Sequence, residues 1–267
     1  VSTQAIKLAE LIRDADSVVA LTGAGVSVPS GIADFRTPGT GLWSGVDPME
    51  VAHIDVFRRD PARFWHFYGD RFQTLEHKLP NAAHAALARL ERAGLLDAVI
   101  TQNIDRLHAQ AGTRTLVEVH GTIDHSSCLV CGAVYPLADV RARQRIDEAG
   151  VPRCDCGEPL KPDVVLFGEY LPPQALARAQ ELAAGADLLL CIGSSLEVYP
   201  VGQLPGLTLA AGNAIALITQ GATPYDGRAA VRCGGDVVDE LEAVIAALEP
   251  ELAAVADGSG VSEGAGA

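Results

Sequence analysis

No apolar run in this sequence approaches the roughly 20 residues of a membrane span. No signal-peptide pattern precedes the first helix, and the leading residue, Val1, reads as a trimmed start. Basic charge is also short. Lys and Arg number 20 against 34 Asp and Glu, a net charge of −14. Nucleic acid is therefore not expected as a partner, because no basic excess is available to neutralise phosphates. A cationic protein or peptide suits such a field better. Six cysteines in 267 residues are too few for a disulfide scaffold. A reducing, cytoplasmic setting is expected, and the spacing of the cysteines matters more than their number. The 48% hydrophobic composition suffices for one large core, or for a core and a small satellite. No internal repeat is present.

Apolar runs alternate with amphipathic ones. Residues 3–15 read as a helix with Ala5, Leu8, Ala9, Leu11 and Ile12 on one face. Strands are expected at 18–21, 97–101, 116–121, 163–168, 186–193 and 214–219, with helices at 80–94, 103–111, 173–184 and 236–248. Short continuous apolar strands separated by helices indicate a parallel sheet covered on both faces. Two stretches break the alternation: 37–79, rich in aromatics and read as helical, and 122–160, which carries four cysteines. Both read as insertions forming a smaller lobe. The small, acidic tail after Pro250 reads as disordered.

The first strand runs into "TGAGVSVPSGIADFR", residues 22–36. A dinucleotide fingerprint asks for G-x-G-x-x-G and an acid roughly 20 residues on. Here Gly23 and Gly25 are followed by Val26, Ser27 and Val28, and the first acid, Asp34, sits beside Phe35 and Arg36. Cys128 and Cys131 form one close pair and Cys154 and Cys156 another. Two such pairs suggest four thiolates around a structural zinc with no open coordination position. Four free thiols is the blander reading. Cys191 reads as a buried strand residue. "TQNIDRLH" places Gln102, Asn103 and Asp105 at the carboxyl end of a strand, where open α/β folds bind ligands. Helix capping explains Asn and Asp there equally well on this motif alone. "VEVHGT" puts His120 at the same rim.

"GAGVSVPSGIADFR", "TQNIDRLH", "HGT", the paired cysteines, "KPDVVLFGE" and "GSSLEVYP" follow one another in the order seen in sirtuins, which the chain resembles from roughly Leu8 to Leu248. Sirtuins are NAD-dependent protein-lysine deacylases. The resemblance implies an α/β fold: a Rossmann-like parallel sheet with helices on both faces, plus a smaller lobe made of a zinc-ribbon module and a helical insertion. Residues 1–36, 80–121 and 161–249 would form the NAD-binding domain, 37–79 the helical insertion, 122–160 the zinc module with one structural zinc per chain, and 250–267 a disordered tail. NAD would be consumed rather than merely held. Gly23, Ala24 and Gly25 would cradle its phosphates, helped by the dipole of the following helix, with Ser27 also facing them. A loop with Asp34, Phe35 and Arg36 would close over the nicotinamide ribose, and Phe35 would shield the exposed C1′.

By the same resemblance Asn103 and Asp105 would hold the ribose and carboxamide, with Gln102 beside them. His120 would be the general base. Gly193, Ser194 and Ser195 match the turn near the adenosine. Thr219 stands where sirtuins often carry asparagine, and Cys233 where adenine is often contacted. The substrate peptide would add as a strand between Phe167, Gly168 and Glu169 on one side and Ser195, Leu196, Glu197 and Val198 on the other, with Val165 taking the acyl-lysine N–H. Tyr68 and Arg71 match the Tyr-x-x-Arg pair of the sirtuin subgroup that prefers succinyl- and malonyl-lysine, and Ala52 its small pocket residue. The alternatives are a sirtuin-fold protein mono-ADP-ribosyltransferase, which uses the same NAD pocket, and a non-enzymatic zinc-ribbon module that senses NAD.

Overall fold

The computed structural model describes residues 2–34 and 46–256. Among these the chain forms β1 (Val18–Thr22), β2 (Ala98–Thr101), β3 (Leu116–Glu118), β4 (Gly121–Cys128), β5 (Val134–Pro136), β6 (Leu160–Val164), β7 (Leu188–Ile192), β8 (Ala214–Ile218) and β9 (Val231–Cys233). Six of them make one parallel sheet in the order β3-β2-β1-β7-β8-β9. β1 lies between β2 and β7, in register Val19 with Ala98 and Val18 with Leu188. The chain builds outward from β1 to β3, then returns to β1's other side and builds outward again. Successive turns therefore diverge between β1 and β7, which leaves a crevice at the carboxyl ends of these two strands.

Every residue of β1, β7 and β2 is buried because both faces of the sheet are covered. Alternation divides the strand residues between two cores. Val18, Ala20, Leu188, Leu190 and Ala216 pack with Leu8 and Ile12 of helix Thr3–Asp14, Leu87 and Leu90 of helix Ala82–Arg92, and Leu241 and Val244 of helix Val237–Ala247. Val19, Leu21, Leu189, Cys191 and Leu217 pack on the opposite face with Ala179 and Ala183 of helix Pro173–Gly185 and with Leu204. Cys191 is the buried strand residue its surroundings indicate.

A third core belongs to the smaller lobe. Phe57, Phe64, Trp65, Tyr68 and Phe72, from helices Ile54–Arg59 and Pro61–Glu76, pack against Ile123, Cys128, Leu160 and Val164 of an antiparallel sheet ordered β5-β4-β6. The strand expected at 163–168 is thus displaced. β6 ends at Val164 and pairs with β4, not with the parallel sheet. Its sequence, Leu-Lys-Pro-Asp-Val, hides a strand because a proline and a buried charge interrupt the apolar pattern. The proline is tolerated since β6 is an edge. The helix expected at 103–111 shortens to Leu107–Gln110, because Arg106 adopts φ +71°. Residues Glu249–Ala256 are helical where a disordered tail is expected from Pro250, with Leu252 packed in the first core. The rest of that tail lies outside the described residues. No helix among the described residues is long and apolar enough to cross a membrane.

Candidate active site

The turns after β1 and β7 touch. The Gly23 N–H donates to the Ile192 carbonyl at 3.0 Å and the Gly25 N–H to the Gly193 carbonyl at 2.8 Å. A Cβ on Gly25 would stand 2.7 Å from Gly193 Cα, and one on Gly193 would stand 2.4 Å from the Val26 nitrogen. Gly193 also has φ +61°, a region that glycine enters without strain. The odd glycine spacing follows. The third fingerprint glycine, which elsewhere admits a close helix–strand contact, is not needed, because the chain enters a 3-10 helix, Ala24–Ser30, with Pro29 inside it.

Behind the turns lies a buried polar layer. Ser27 is 1% exposed; its Oγ donates to Asp105 Oδ2 at 2.6 Å and accepts from Asn103 Nδ2 at 3.1 Å. Asn103 Nδ2 also donates to the Gly23 carbonyl at 3.1 Å, and the Leu107 N–H donates to Asp105 Oδ1 at 3.0 Å. Burial pushes the Asp105 carboxyl up, while the donations from Ser27 and Leu107 pull it back. Ser27, Asn103 and Asp105, expected by resemblance at the dinucleotide, bond to one another in this layer. Their side chains turn inward and fasten the first turn, while Ile104, between the last two, lines the cavity. Asn103 uses both Nδ2 protons in this layer, which leaves Oδ1 as its remaining polar atom. Gly23 is likewise covered, by Ser194.

In front of the turns a cavity of about 1270 Å³ opens at the switch point. Ala24, Gly25, Asp34, Gln102, His120, Gly193, Ser194, Ser195 and Thr219 line its NAD side as read from the sequence. Gln102 Nε2 donates to Ser194 Oγ at 2.9 Å, which ties the end of β2 to the turn after β7. Two more of the expected residues do not line it. Cys233 is sealed in β9, where burial pushes its thiol up to about 11, and only its carbonyl meets the site's framework, accepting from the Thr219 N–H at 3.0 Å. Leu196 buries its side chain in the second sheet core, with φ +57°. Phe35 and Arg36 lie outside the described residues.

His120 is half-buried, and its Nδ1 lies 2.9 Å from the Gln102 carbonyl. A carbonyl only accepts, so Nδ1 carries the proton and Nε2 is left as the base. Burial lowers the ring's pKa below the ordinary histidine value, and the Gln102 contact opposes this. The imidazole is therefore neutral at physiological pH, more firmly than an unperturbed histidine.

The lining of the same cavity includes Ala52, Tyr68, Arg71, Val165, Phe167, Gly168, Glu169, Glu197 and Val198. The Phe167 N–H donates to the Ala52 carbonyl at 3.0 Å, and the Ile54 N–H to the Phe167 carbonyl at 2.9 Å. Val165 gives its N–H to the His120 carbonyl at 2.8 Å, so a peptide contact at Val165 is made through its carbonyl. Tyr68 and Arg71 sit one turn apart on helix Pro61–Glu76. Burial pushes the Tyr68 hydroxyl up to about 12, although Arg71 pulls the other way, so Tyr68 keeps its proton as a donor. Ile104, Tyr170, Gln220, Asp236 and Val237, which no motif marks, also line the cavity. Each lies within a few residues of an expected one or just beyond a strand's carboxyl end, and that position was the available signal.

Cys128, Cys131, Cys154 and Cys156 bring their sulfurs within 4.8 Å of one another. Cys128 to Cys156 is 3.6 Å and Cys131 to Cys154 is 3.4 Å. Tetrahedral zinc with bonds of about 2.3 Å sets its sulfurs about 3.8 Å apart, so the donor set fits a closed structural site. The short second pair is accommodated by a tight turn in which the Gly157 N–H donates to the Cys154 carbonyl at 2.9 Å. His125 takes no part among these ligands, lying instead beside Asp163.

Residues 23–200 match the family model described as "Sir2 family". A protein of Sulfolobus acidocaldarius named NAD-dependent protein deacetylase is 46% identical over 84% of this chain and 86% of its own length. One of the same name from Thermotoga maritima is 40% identical over 86% of this chain and 92% of its own. A solved Sir2–p53 peptide–NAD+ complex superposes with a TM-score of 0.82 at 38% identity, covering 90% of this chain and 96% of that one. Sir2 bound to an acetylated peptide gives the same TM-score at 37% identity and the same coverage.

Proposed function

Since this chain belongs to the Sir2 family, we propose that it removes acyl groups from protein lysines at the expense of NAD, taking succinyl and malonyl as well as acetyl. It is an NAD-dependent protein deacetylase by kinship, with NAD as co-substrate and one structural zinc. The finer reading gives nicotinamide, free lysine and 2′-O-acyl-ADP-ribose as products. One observation carries it: a histidine with its proton fixed on Nδ1 presents Nε2 to the cavity that the paired glycine turns and the 165–169 edge share.

The reaction needs proximity first. The acyl oxygen is a weak nucleophile and attacks C1′ only when held against an oxocarbenium-like carbon. The C1′–nicotinamide bond breaks and a C1′–oxygen bond forms. His120 Nε2 then takes a proton from a ribose hydroxyl, whose oxygen closes onto the imidate carbon. Lysine leaves after protonation, and water completes the ester. Asn103 and Asp105 hold the ribose and carboxamide in this reading, and with Ser27 they also brace the Gly23–Gly25 turn. Because the His120 pKa is lowered, its base form persists to more acidic pH. The acid limb of kcat/KM is expected below the ordinary histidine value of about 6.5. A limb at or above that value in a pH–rate profile would contradict this environment for His120.

Acyl choice is assigned to Tyr68 and Arg71. A guanidinium and a phenol can both donate to a carboxylate that would otherwise be desolvated without partners. Such bonds are worth about 1.5–3 kcal/mol each, or roughly 10- to 150-fold. Arg71→Met is expected to depress desuccinylation by that factor and deacetylation far less. Equal losses on matched peptides would mean that Arg71 does not read the acyl carboxylate. The net charge of −14 favours cationic substrate segments, and the four thiolates suit the reducing cytoplasm.

A further inference from the structure

Lys161 has no part in the chemistry above, yet it is 7% exposed, and a lysine is rarely so buried unless paired. Its Nζ donates to the Val164 carbonyl at 2.9 Å and the Pro162 carbonyl at 3.1 Å, and it meets Glu169 Oε2 at 2.9 Å. These contacts use all three ammonium protons. The same Glu169 oxygen accepts from the Leu166 N–H at 2.9 Å, and the Glu169 N–H donates to the Leu166 carbonyl at 3.1 Å. Lys161 and Glu169 thus bracket residues 164–168, which form the cavity wall.

That wall is not held by a sheet. β6 stops at Val164, and among the described residues the pairing beyond it is an isolated bridge from His53 to Phe167. Backbone outside a ladder takes its shape from whichever fixings satisfy its polar groups. Here they are the Phe167 bonds with Ala52 and Ile54, the ammonium on the Val164 carbonyl, the carboxylate on the Leu166 N–H, and the His120 carbonyl on the Val165 N–H. The last of these fixes the edge relative to the general base. A pair of apolar residues could fill the same space without burying charge, so what the charged pair adds is direction.

We propose that Lys161 is a positioning residue for acyl-peptide binding: bonded to Glu169 and to the Val164 carbonyl, it sets the backbone edge on which the peptide docks and aligns that edge with His120. This rests on the acyl-lysine reading above. Lys161 does not line the cavity, whereas Gly25 and Gly193 do.

The test uses the full zinc-bound chain, an acetyl-lysine peptide and NAD. Lys161→Met is expected to raise KM for the peptide about 10-fold or more. NAD affinity measured calorimetrically without peptide, and zinc content, should stay at wild-type values. Lys161→Met leaves the Glu169 carboxylate without its cation and can unfold the lobe. The double variant Lys161→Met/Glu169→Leu, which buries no lone charge, removes that difficulty, and Glu169→Gln, which keeps an oxygen for Lys161 and the Leu166 N–H, reports separately any direct contact of the Glu169 charge with the peptide. The double variant should fold and still show the raised peptide KM, because the Val164 carbonyl and the Leu166 N–H have lost their charged partners. If the pair served stability alone, the double variant would regain the wild-type KM, and that result would overturn the proposal. So would an unchanged peptide KM in a folded Lys161→Met protein. A wild-type chain inert toward every acyl-lysine peptide would instead overturn the parent reading.

Discussion

His120→Ala is expected to lower acyl removal by roughly 100-fold or more while the protein stays folded and still binds NAD. The ring is held by one bond, from Nδ1 to the Gln102 carbonyl. Its loss leaves that carbonyl at the rim of an open cavity, where water can take its place, so stability should change little. The turns that would meet the dinucleotide are fixed independently, by Gly25 on Gly193 and by Gln102 on Ser194. The defect should therefore fall on turnover and not on NAD affinity. His120→Gln keeps a donor toward Gln102 but supplies no base, and it should be equally slow. Near-normal turnover by either variant, measured with an acetyl-lysine peptide, would remove His120 from the mechanism.

Removal of zinc is expected to have the larger structural effect. Cys128 and Cys154 are themselves part of the smaller lobe's core, packed with Leu160, Val164 and Trp65. That core also carries Tyr68 and adjoins the 164–168 edge. Structural zinc contributes on the order of 10 kcal/mol to such modules, comparable to the whole stability of a typical domain. Strong chelation, or Cys128→Ser, should melt the lobe and abolish activity together, while helices packed on the parallel sheet persist. Zinc content by elemental analysis and loss of near-ultraviolet signal from Trp65 should fall in step. Freshly purified, fully active protein without zinc would refute the assignment.

The parallel sheet was legible because its strands are buried on both faces and read as unbroken apolar runs. β6 was not, because Lys161 and Pro162 sit inside it, and the ion pair that makes a buried lysine tolerable joins residues eight apart in sequence. The following apolar run, Val164 to Phe167, looks like a strand and is instead a wall held by isolated bonds. The site's membership was legible from motif order. The direction in which its side chains point was not. Nothing in "TQNIDRLH" shows that Arg106 at φ +71° and the Leu107 N–H direct the Asp105 carboxylate to Ser27. The glycine spacing at 23–25 found its explanation only in the second turn, from a distant stretch of sequence, that packs against it.

The most direct test follows the acyl group. The zinc-bound chain is incubated with NAD and acetyl- or succinyl-lysine peptide, and peptide, protein and small molecules are weighed by mass spectrometry. The expected result is deacylated peptide, one nicotinamide per acyl removed, and the acyl group recovered as an ester on ADP-ribose, with the protein's own mass unchanged. Release of free carboxylic acid with NAD intact, or a protein heavier by ADP-ribose beside an untouched peptide, would contradict NAD-consuming lysine deacylation.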